Sequence, residues 1–350
     1  MNLPKDIIVS ISLKLDLPLL VELSIVSQKF NNIICDNDIF WMNRFRHDIG
    51  IYVKPENINW KELYRSSTRN DLDNALFEAV ENGFLELIKI YVNRGANVRA
   101  YAELFLRSAS EHGHLEVVKY LVELRWDLRV YDDQTLISSS ENGHLEVVKY
   151  LVEHGANVRA NDDYSLISAS KNGHLEVVKY LVEQGANVRA QKDFALRYSS
   201  EYGHLEVVKY LVERGADVSA HQNWALNLAS RYGYLEVVKY LVEQGINVCT
   251  NVCPNFPFCI HFDLALRNAS ENGHLEIVKY LVRQGADVRA YYNEALELAS
   301  GNGYLELVKY LVKKGSDIHA NNDRALKYAR ENKHLKVVNY LESLYEKLKQ

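Results

Sequence analysis

The sequence is poor in cysteine and proline, and it lacks any long apolar run. It has 4 cysteines and 5 prolines in 350 residues. So few cysteines do not make a disulfide framework, which points to a reducing compartment. No stretch approaches the roughly 18 to 20 apolar residues that span a bilayer, and Asp6, Lys14 and Asp16 interrupt any signal-peptide core. We therefore expect a cytoplasmic protein, with the nucleus as the alternative and no membrane partner.

The sequence also has no excess of basic residues and no recognisable catalytic motif. The 46 acidic side chains outnumber the 41 lysines and arginines, for a formal net charge of −5. That balance argues against nucleic acid as a nonspecific partner, because such binding needs a basic stripe. The sequence has no convincing nucleophile–base pair, phosphate-binding glycine loop or metal-ligand spacing. We expect a non-enzymatic protein that carries no cofactor.

What the sequence does contain is a repeat. Gly143 opens the segment Gly-His-Leu-Glu-Val-Val-Lys-Tyr-Leu-Val, and Gly113 opens a near copy 30 residues earlier. Further copies begin at Gly173, Gly203, Gly233 and Gly273, looser ones at Gly83 and Gly303, and a degenerate one at Lys333. The interval is 30 residues throughout, except for 40 between Gly233 and Gly273. A fixed period of this size is typical of a solenoid, in which each unit buries its apolar face against its neighbours.

Each unit is predicted to form two helices. In one unit, Asp163 is the candidate N-cap of a first helix over residues 164–172, and Gly173 ends that helix. The second helix begins at Leu175 and ends near Gln184. The apolar stripe predicted for it consists of Leu175, Val178, Leu181 and Val182. Its outward charged row consists of Glu176, Lys179 and Glu183.

Six units carry a histidine directly after the repeat glycine or its equivalent. They are His114, His144, His174, His204, His274 and His334. Successive rings would lie about 9 to 10 Å apart at ordinary helix spacing, which is too far for shared metal ligation. We interpret these histidines as structural.

The order helix, Gly-His-Leu, helix, Gly-Ala-Asn-Val resembles the ankyrin repeat over nine units, residues 73–342. The resemblance implies an all-α ankyrin-repeat solenoid that binds a protein target, with residues 343–350 ending its last helix. The usual ankyrin period is about 33 residues with a Thr-Pro-Leu-His signature. Here the unit has 30 residues and lacks Thr-Pro, so we expect tight turns in place of β-hairpin fingers.

Residues 1–45 do not follow the period, and their apolar pattern predicts a small bundle of three short helices. The order of landmarks resembles an F-box: Leu3-Pro4-x-Asp6-Ile7-Ile8, then Leu19-Leu20-x-x-Leu23-Ser24-x-Val26, then Phe40-Trp41. The resemblance implies that a Skp-type adaptor of a cullin–RING ubiquitin ligase docks on Leu3, Pro4, Ile7, Ile8 and Leu20. The alternative is a helical cap that shields the first repeat. Residues 46–72 are interpreted as a linker that packs on that repeat.

Short ankyrin units behind an F-box-like segment are also similar to the large ankyrin families of giant amoeba-infecting viruses. In that case the compartment would be the cytoplasm of the host, and the Skp-type adaptor would be a host protein.

Positions that vary between units are where a repeat protein recognises its partner. Directly after the Asp or Asn of the predicted cap come three successive aromatics, and Arg and Asn occur three positions further on. Aromatic and arginine side chains dominate interface energetics. The predicted partner-binding residues on the concave face are Tyr164, Phe194, Arg197, Tyr198, Trp224 and Asn227. The alternative is that the aromatics pack between adjacent units.

The longer interval contains a ten-residue insertion at about residues 249–263. It holds Cys249, Cys253, Cys259 and His261, which could form a Cys₃His zinc site. Their spacing matches no common zinc module, and Cys259 and His261 are close together for two ligands of one ion. We favour an aromatic finger that contacts a partner.

These features predict a monomeric adaptor whose repeats recruit a target and whose first segment docks a Skp–cullin ubiquitin ligase. The alternative is an ankyrin scaffold or anchoring protein with no connection to a ligase.

Overall fold

The computed structural model describes residues 41–42, 71–124, 132–245 and 264–348. Within these ranges the chain forms α-helices and one short 3₁₀ turn at Val98–Tyr101, and it contains no β-strand. The helices in the first part are α1 (Leu72–Glu81), α2 (Leu85–Asn93), α3 (Ala102–Glu111), α4 (Leu115–Glu123), α5 (Asp132–Glu141) and α6 (Leu145–Glu153). Those that follow are α7 (Ala160–Lys171), α8 (Leu175–Glu183), α9 (Ala190–Glu201), α10 (Leu205–Glu213), α11 (Ala220–Tyr232), α12 (Leu235–Glu243), α13 (Leu264–Glu271), α14 (Leu275–Arg283), α15 (Ala290–Gly301), α16 (Leu305–Lys313), α17 (Ala320–Glu331) and α18 (Leu335–Leu348).

The chain divides into two compact units, residues 1–139 with 153–155, and residues 140–152 with 156–350. In the first, α1 packs against α2 and α3, and α3 packs against α4. In the second, the first helices of successive pairs, from α7 to α17, pack against one another in chain order. The second helices from α8 to α14 do the same. The all-α stack of helix pairs is therefore confirmed for the second unit.

The second helix of each pair buries one stripe of its surface. In α8 that stripe is Val177, Val178 and Leu181, each at most 1% exposed. The prediction was wrong about Leu175 and Val182, which are half-buried at the edges of the stripe while Val177 lies inside. On the outer side, Lys179 Nζ lies 2.7 Å from Glu176 Oε1, and the same pair three residues apart recurs in other second helices. Such exposed pairs contribute a few tenths of a kcal/mol each.

The histidines join neighbouring pairs of helices. His174 Nε2 lies 2.9 Å from the carbonyl oxygen of Glu141, and His204 Nε2 lies 2.9 Å from that of Lys171. Because a carbonyl can only accept, Nε2 carries the proton in each ring. Tyr234 occupies the equivalent position over Gly203, so a tyrosine can fill the same space. These contacts support the structural interpretation of the histidines.

The turn before each first helix differs from the prediction. Residues 161–163 all have positive φ, between 50° and 64°, and the same left-handed turn precedes the regular helical part of α9, α11, α15 and α17. Asp163 does not cap the helix that follows it. Its Oδ1 accepts a hydrogen bond of 2.8 Å from the backbone amide of Asn187, 24 residues further along. The reason is that the chain returns after α8 and brings an unsatisfied backbone amide to this carboxylate.

The same bond recurs elsewhere: Asp73 accepts from the Asn97 amide, Asp193 from the Asp217 amide and Asn293 from the Asp317 amide. Asn187, which donates its backbone amide to Asp163, also stabilises the turn that follows it. Its Oδ1 accepts a hydrogen bond of 3.0 Å from the Arg189 amide. In the last pair Asp323 accepts instead from the hydroxyl of Tyr345, at 2.7 Å, on the extended helix α18. This bond, with a smaller contribution from His319, lowers the pKa of the Asp323 carboxyl.

Several predicted features lie outside the described residues. They are the adaptor-docking residues of the first segment, the predicted linker 46–72 as far as residue 70, and the cysteine-bearing insertion with its candidate zinc ligands. Among the residues that are described, no cluster of side chains could hold a metal ion. No helix in those ranges is both long and apolar enough to cross a membrane.

Candidate partner-binding site

The six predicted partner-binding residues lie on three successive first helices. Tyr164 is on α7, Phe194, Arg197 and Tyr198 are on α9, and Trp224 and Asn227 are on α11. Residues three and four positions apart share one face of a helix, so the three side chains of α9 lie side by side. The packing of α9 against α11 then brings Trp224 next to them.

Arg197 is the centre of this group. Its Cζ lies 3.7 Å from the ring centroid of Trp224, 5.1 Å from that of Phe194 and 5.2 Å from that of Tyr198. Phe194 and Tyr198 meet edge to face, with ring centroids 5.7 Å apart. A guanidinium over an aromatic face is stabilised by about 0.5 to 2 kcal/mol. We call Phe194, Arg197, Tyr198 and Trp224 the arginine–aromatic cluster.

The other two predicted residues differ in exposure. Tyr164 is the most exposed of the six, at 46%. Asn227 is only 3% exposed, and its Nδ2 donates to the carbonyl of Gln222 at 3.0 Å. The prediction for Asn227 was therefore wrong, because its side chain is buried between helices and cannot reach a partner.

The cluster belongs to a series of contacts between neighbouring first helices. Each contact joins two residues that are 27 positions apart in the sequence, as Arg197 and Trp224 are. At the same place Arg267 Nε lies 3.2 Å from Glu294 Oε1, and Arg324 Nε lies 3.4 Å from Glu297 Oε2. The variable positions thus contact one another between neighbouring first helices.

Basic and acidic side chains both line the recess next to Arg197. A recess of about 10 Å³ is lined by Lys192, Asp193, Arg197, Asp217, His221 and Trp224, among others. It has room for about one water and is far too small for a drug-sized ligand. Arg189 pairs with both acids, at 3.6 Å from Asp193 Oδ2 and 3.1 Å from Asp217 Oδ2. Burial raises the pKa of the Asp193 carboxyl, although the Asp217 amide and Arg189 oppose that effect.

Comparison with known proteins matches this architecture to a family. A family profile described as Ankyrin repeats (3 copies) matches residues 124–192, 166–252 and 266–348, and one described as Ankyrin repeats (many copies) matches residues 224–282. Together these matches cover more than half of the chain. The chain belongs to the ankyrin-repeat family.

Among solved structures, the crystal structure of the human ASB11 ankyrin repeat domain is similar at 24% identity and a TM-score of 0.48. The match covers 55% of this chain and 90% of that one. No curated protein matches the chain. Ankyrin repeats bind protein partners and are typically non-catalytic, so family membership indicates protein–protein interaction.

The sequence analysis did not identify the side-chain contacts between neighbouring ankyrin units. A signal was available, because Arg267 and Glu294, and Glu297 and Arg324, carry opposite charges at the same 27-residue separation. Only a known helix packing would have shown that this separation brings side chains together.

Proposed function

We propose that this ankyrin-repeat protein is a non-enzymatic adaptor. Its first helices bind a target protein, and its F-box-like segment docks a Skp-type adaptor of a cullin–RING ubiquitin ligase. The observation that carries the proposal is the arginine–aromatic cluster on a stack of ankyrin helix pairs. Such an adaptor acts by proximity, since it raises the effective concentration of the target near the ligase.

The target-binding surface proposed for the adaptor consists of Tyr164 and the arginine–aromatic cluster. Exposed tyrosine and partly exposed tryptophan and arginine are the residue types that contribute most to binding energy at protein interfaces. The second helices present a regular row of paired Glu and Lys instead, and side chains already paired in this way offer a partner little.

Site-specific photo-crosslinking tests this surface. A photo-reactive phenylalanine analogue replaces Tyr164 in one variant and Glu176, on the outer side of α8, in the control. Glu176 is exposed, with its side chain at 65%, so both probes can reach a partner in cells. We expect a discrete crosslinked protein from position 164 and not from position 176. Equal crosslinking from both positions would reject the proposed surface.

The ligase connection rests on the sequence of the first segment. Leu3, Pro4, Ile7, Ile8 and Leu20 supply the apolar positions by which the F-box family contacts a Skp-type adaptor. The direct test is a pulldown of a purified Skp-type adaptor with the full chain, comparing wild type with the double variant Leu3→Ala/Pro4→Ala. We expect the wild type to bind and the double variant to lose binding.

Two controls make that result specific. The variant Arg197→Ala/Trp224→Ala should bind the Skp-type adaptor as well as wild type does, because it alters only the target surface. Circular dichroism should show unchanged helix content in the double variant at the N-terminus. If the wild type does not bind the Skp-type adaptor, or if the double variant binds equally well, the function is that of an ankyrin scaffold or anchoring protein without a ligase.

A further inference from the structure

Three arginines of the second compact unit occupy the contacts between neighbouring first helices, and one of them differs from the other two. Arg267 lies at ion-pair distance from Glu294, and Arg324 from Glu297. Arg197 faces Trp224 instead of a carboxylate. The buried Nε of Arg197 and that of Arg267 both lack a hydrogen-bond acceptor, so the difference between them is the ion pair that Arg267 forms. Within the described residues, the guanidinium of Arg197 forms no ion pair. A partner from outside could supply the missing negative charge.

The way Arg197 is held leaves it able to bind a carboxylate. The guanidinium lies over the Trp224 ring, and its N–H donors lie in the plane of the group. Because Nε is buried, a partner would meet the terminal Nη donors. A planar fork of this kind matches the two oxygens of a carboxylate. Because three aromatic rings already restrict the side chain, little further conformational entropy is lost when a partner binds.

Nearby charges favour an acidic partner as well. Lys192 and His221, which line the same recess, are exposed. The two acids of the recess, Asp193 and Asp217, are both engaged by Arg189. Arg189, Arg197 and Lys192 carry three positive charges against these two acids, which leaves a net charge of +1 at this place, although the whole chain carries a net charge of −5.

We propose that Arg197 binds an aspartate or glutamate in an acidic segment of a partner protein, with an adjacent apolar side chain of that segment against Phe194 and Trp224. This inference rests on the proposed function, since it assigns the partner chemistry to the same surface. Single-stranded nucleic acid also combines negative charge with stacking groups. A nucleic-acid backbone needs a row of cations, whereas Arg267 and Arg324 are already paired, which favours the acidic segment.

The chain itself offers an internal mimic of the proposed partner. Trp224→Glu introduces opposite Arg197 the same residue type that Glu294 provides opposite Arg267. We expect the introduced carboxylate to pair with Arg197 and occupy its donors, so that the fold is retained while partner binding is lost. Arg197→Gln removes the charge without adding an acid and serves as the second variant. Arg267→Gln is the matched control, because it removes an arginine that already has a partner in the chain.

The experiment is a selection of random 12-residue peptides displayed on phage against the full-length wild-type chain. The selected consensus peptide is then made with a fluorescent label, and its binding to each variant is measured by fluorescence polarisation. We expect enrichment of Asp and Glu next to an apolar residue. Affinity should fall by at least about tenfold in Trp224→Glu and Arg197→Gln and stay within about twofold in Arg267→Gln, and a labelled deoxythymidine 20-mer should not bind.

Each other outcome overturns the inference. A selection that yields no binder rejects it, and so does an acidic consensus that binds Arg197→Gln as well as wild type. Binding of the deoxythymidine 20-mer that is lost in Arg197→Gln would assign the surface to nucleic acid. Non-acidic peptides that depend on Trp224 would reject the acidic chemistry but keep the surface of the proposed function. That surface is tested separately by the crosslinking at position 164.

Discussion

The imidazole of His204 lies so close to Gly173, one repeat earlier in the chain, that no side chain could stand between them. A Cβ built on Gly173 would be 2.5 Å from Nδ1 of His204 and 2.7 Å from its Cε1. Gly173 also has φ of +78°, a conformation in which other residues are strained. Glycine is therefore required at this position for two reasons: its backbone has a positive φ, and the His204 ring of the next unit leaves no room for a Cβ.

We expect Gly173→Ala to destabilise the protein by about 2 to 4 kcal/mol, because backbone strain and displacement of the His204 ring add together. Gly185→Ala is the matched control, since Gly185 has φ of +95° but nothing within 4 Å of its Cβ position. That control should cost only about 1 kcal/mol. Urea unfolding followed by circular dichroism measures both. Equal losses would show that the contact with His204 contributes nothing.

Asp193 is expected to tolerate asparagine but not alanine. Its side chain is 3% exposed and accepts the Asp217 amide at 2.8 Å, and Asn293 makes the equivalent bond at 2.7 Å to the Asp317 amide. Asp193→Asn keeps the acceptor, so we expect stability close to that of wild type. Asp193→Ala leaves the amide unsatisfied and should cost about 1 to 3 kcal/mol. Thermal unfolding at neutral pH distinguishes the two variants.

Wild type and Asp193→Asn should differ in their response to pH. Burial raises the pKa of Asp193 above its ordinary value of 3.8, so ionisation of this carboxyl opposes folding. The stability that its protonated form provides is complete below the unfolded pKa and is lost as pH rises through the folded pKa. Wild type should therefore gain stability relative to Asp193→Asn as pH falls from 7 towards 4. A stability difference that does not change with pH would contradict this.

We expect that replacing Ser200 with alanine does not lower the stability of the protein. Its hydroxyl is buried without a hydrogen-bond partner, as are those of Ser170 and Ser230 at the same position of neighbouring units. Ser200→Ala removes an unpaired polar atom and adds a better helix former, so the free energy of unfolding should stay equal or rise by up to about 1 kcal/mol. Ser199→Ala is the control, because the Ser199 hydroxyl donates to the Leu196 carbonyl at 3.0 Å. Chemical unfolding should rank Ser200→Ala above Ser199→Ala.

Tyr292 is held in a conformation that favours glycine. Its φ is 57° and its side chain is 75% exposed. A left-handed conformation costs roughly 1 to 2 kcal/mol for a residue with a Cβ, whereas glycine loses about 0.5 to 1 kcal/mol of unfolded-state entropy. Tyr292→Gly should therefore raise the thermal midpoint. Tyr202→Gly should lower it, because Tyr202, 45% exposed, has φ of −101°.

Local patterns predicted most of the fold. The 30-residue period placed the helix pairs, since apolar spacing and glycine at helix ends are properties of short segments. The left-handed turn at residues 161–163 was missed because Asn and Asp favour both caps and positive φ, and the sequence does not distinguish the two. The bond from the Asn187 amide to Asp163 was missed because it joins residues 24 positions apart.

The candidate site was predicted less completely than the fold. Aromatic and arginine content pointed to Phe194, Arg197, Tyr198 and Trp224, which the structure brings together. It also pointed to Asn227, which is buried. Side-chain type alone does not tell an outward position from one that faces the next helix, because the two differ by a small rotation about the helix axis.

The sequence by itself determined that this protein is a stack of helix pairs, because each unit repeats the same local signals and cannot bury its apolar stripe alone. Only the tertiary structure decided which variable side chains meet across the junctions. The packing of α9 on α11 sets the 27-residue register that places Arg197 against Trp224, as the same register places Arg267 against Glu294. That packing leaves Arg197 alone among these arginines without an acid opposite it, and the proposed partner chemistry follows from this difference.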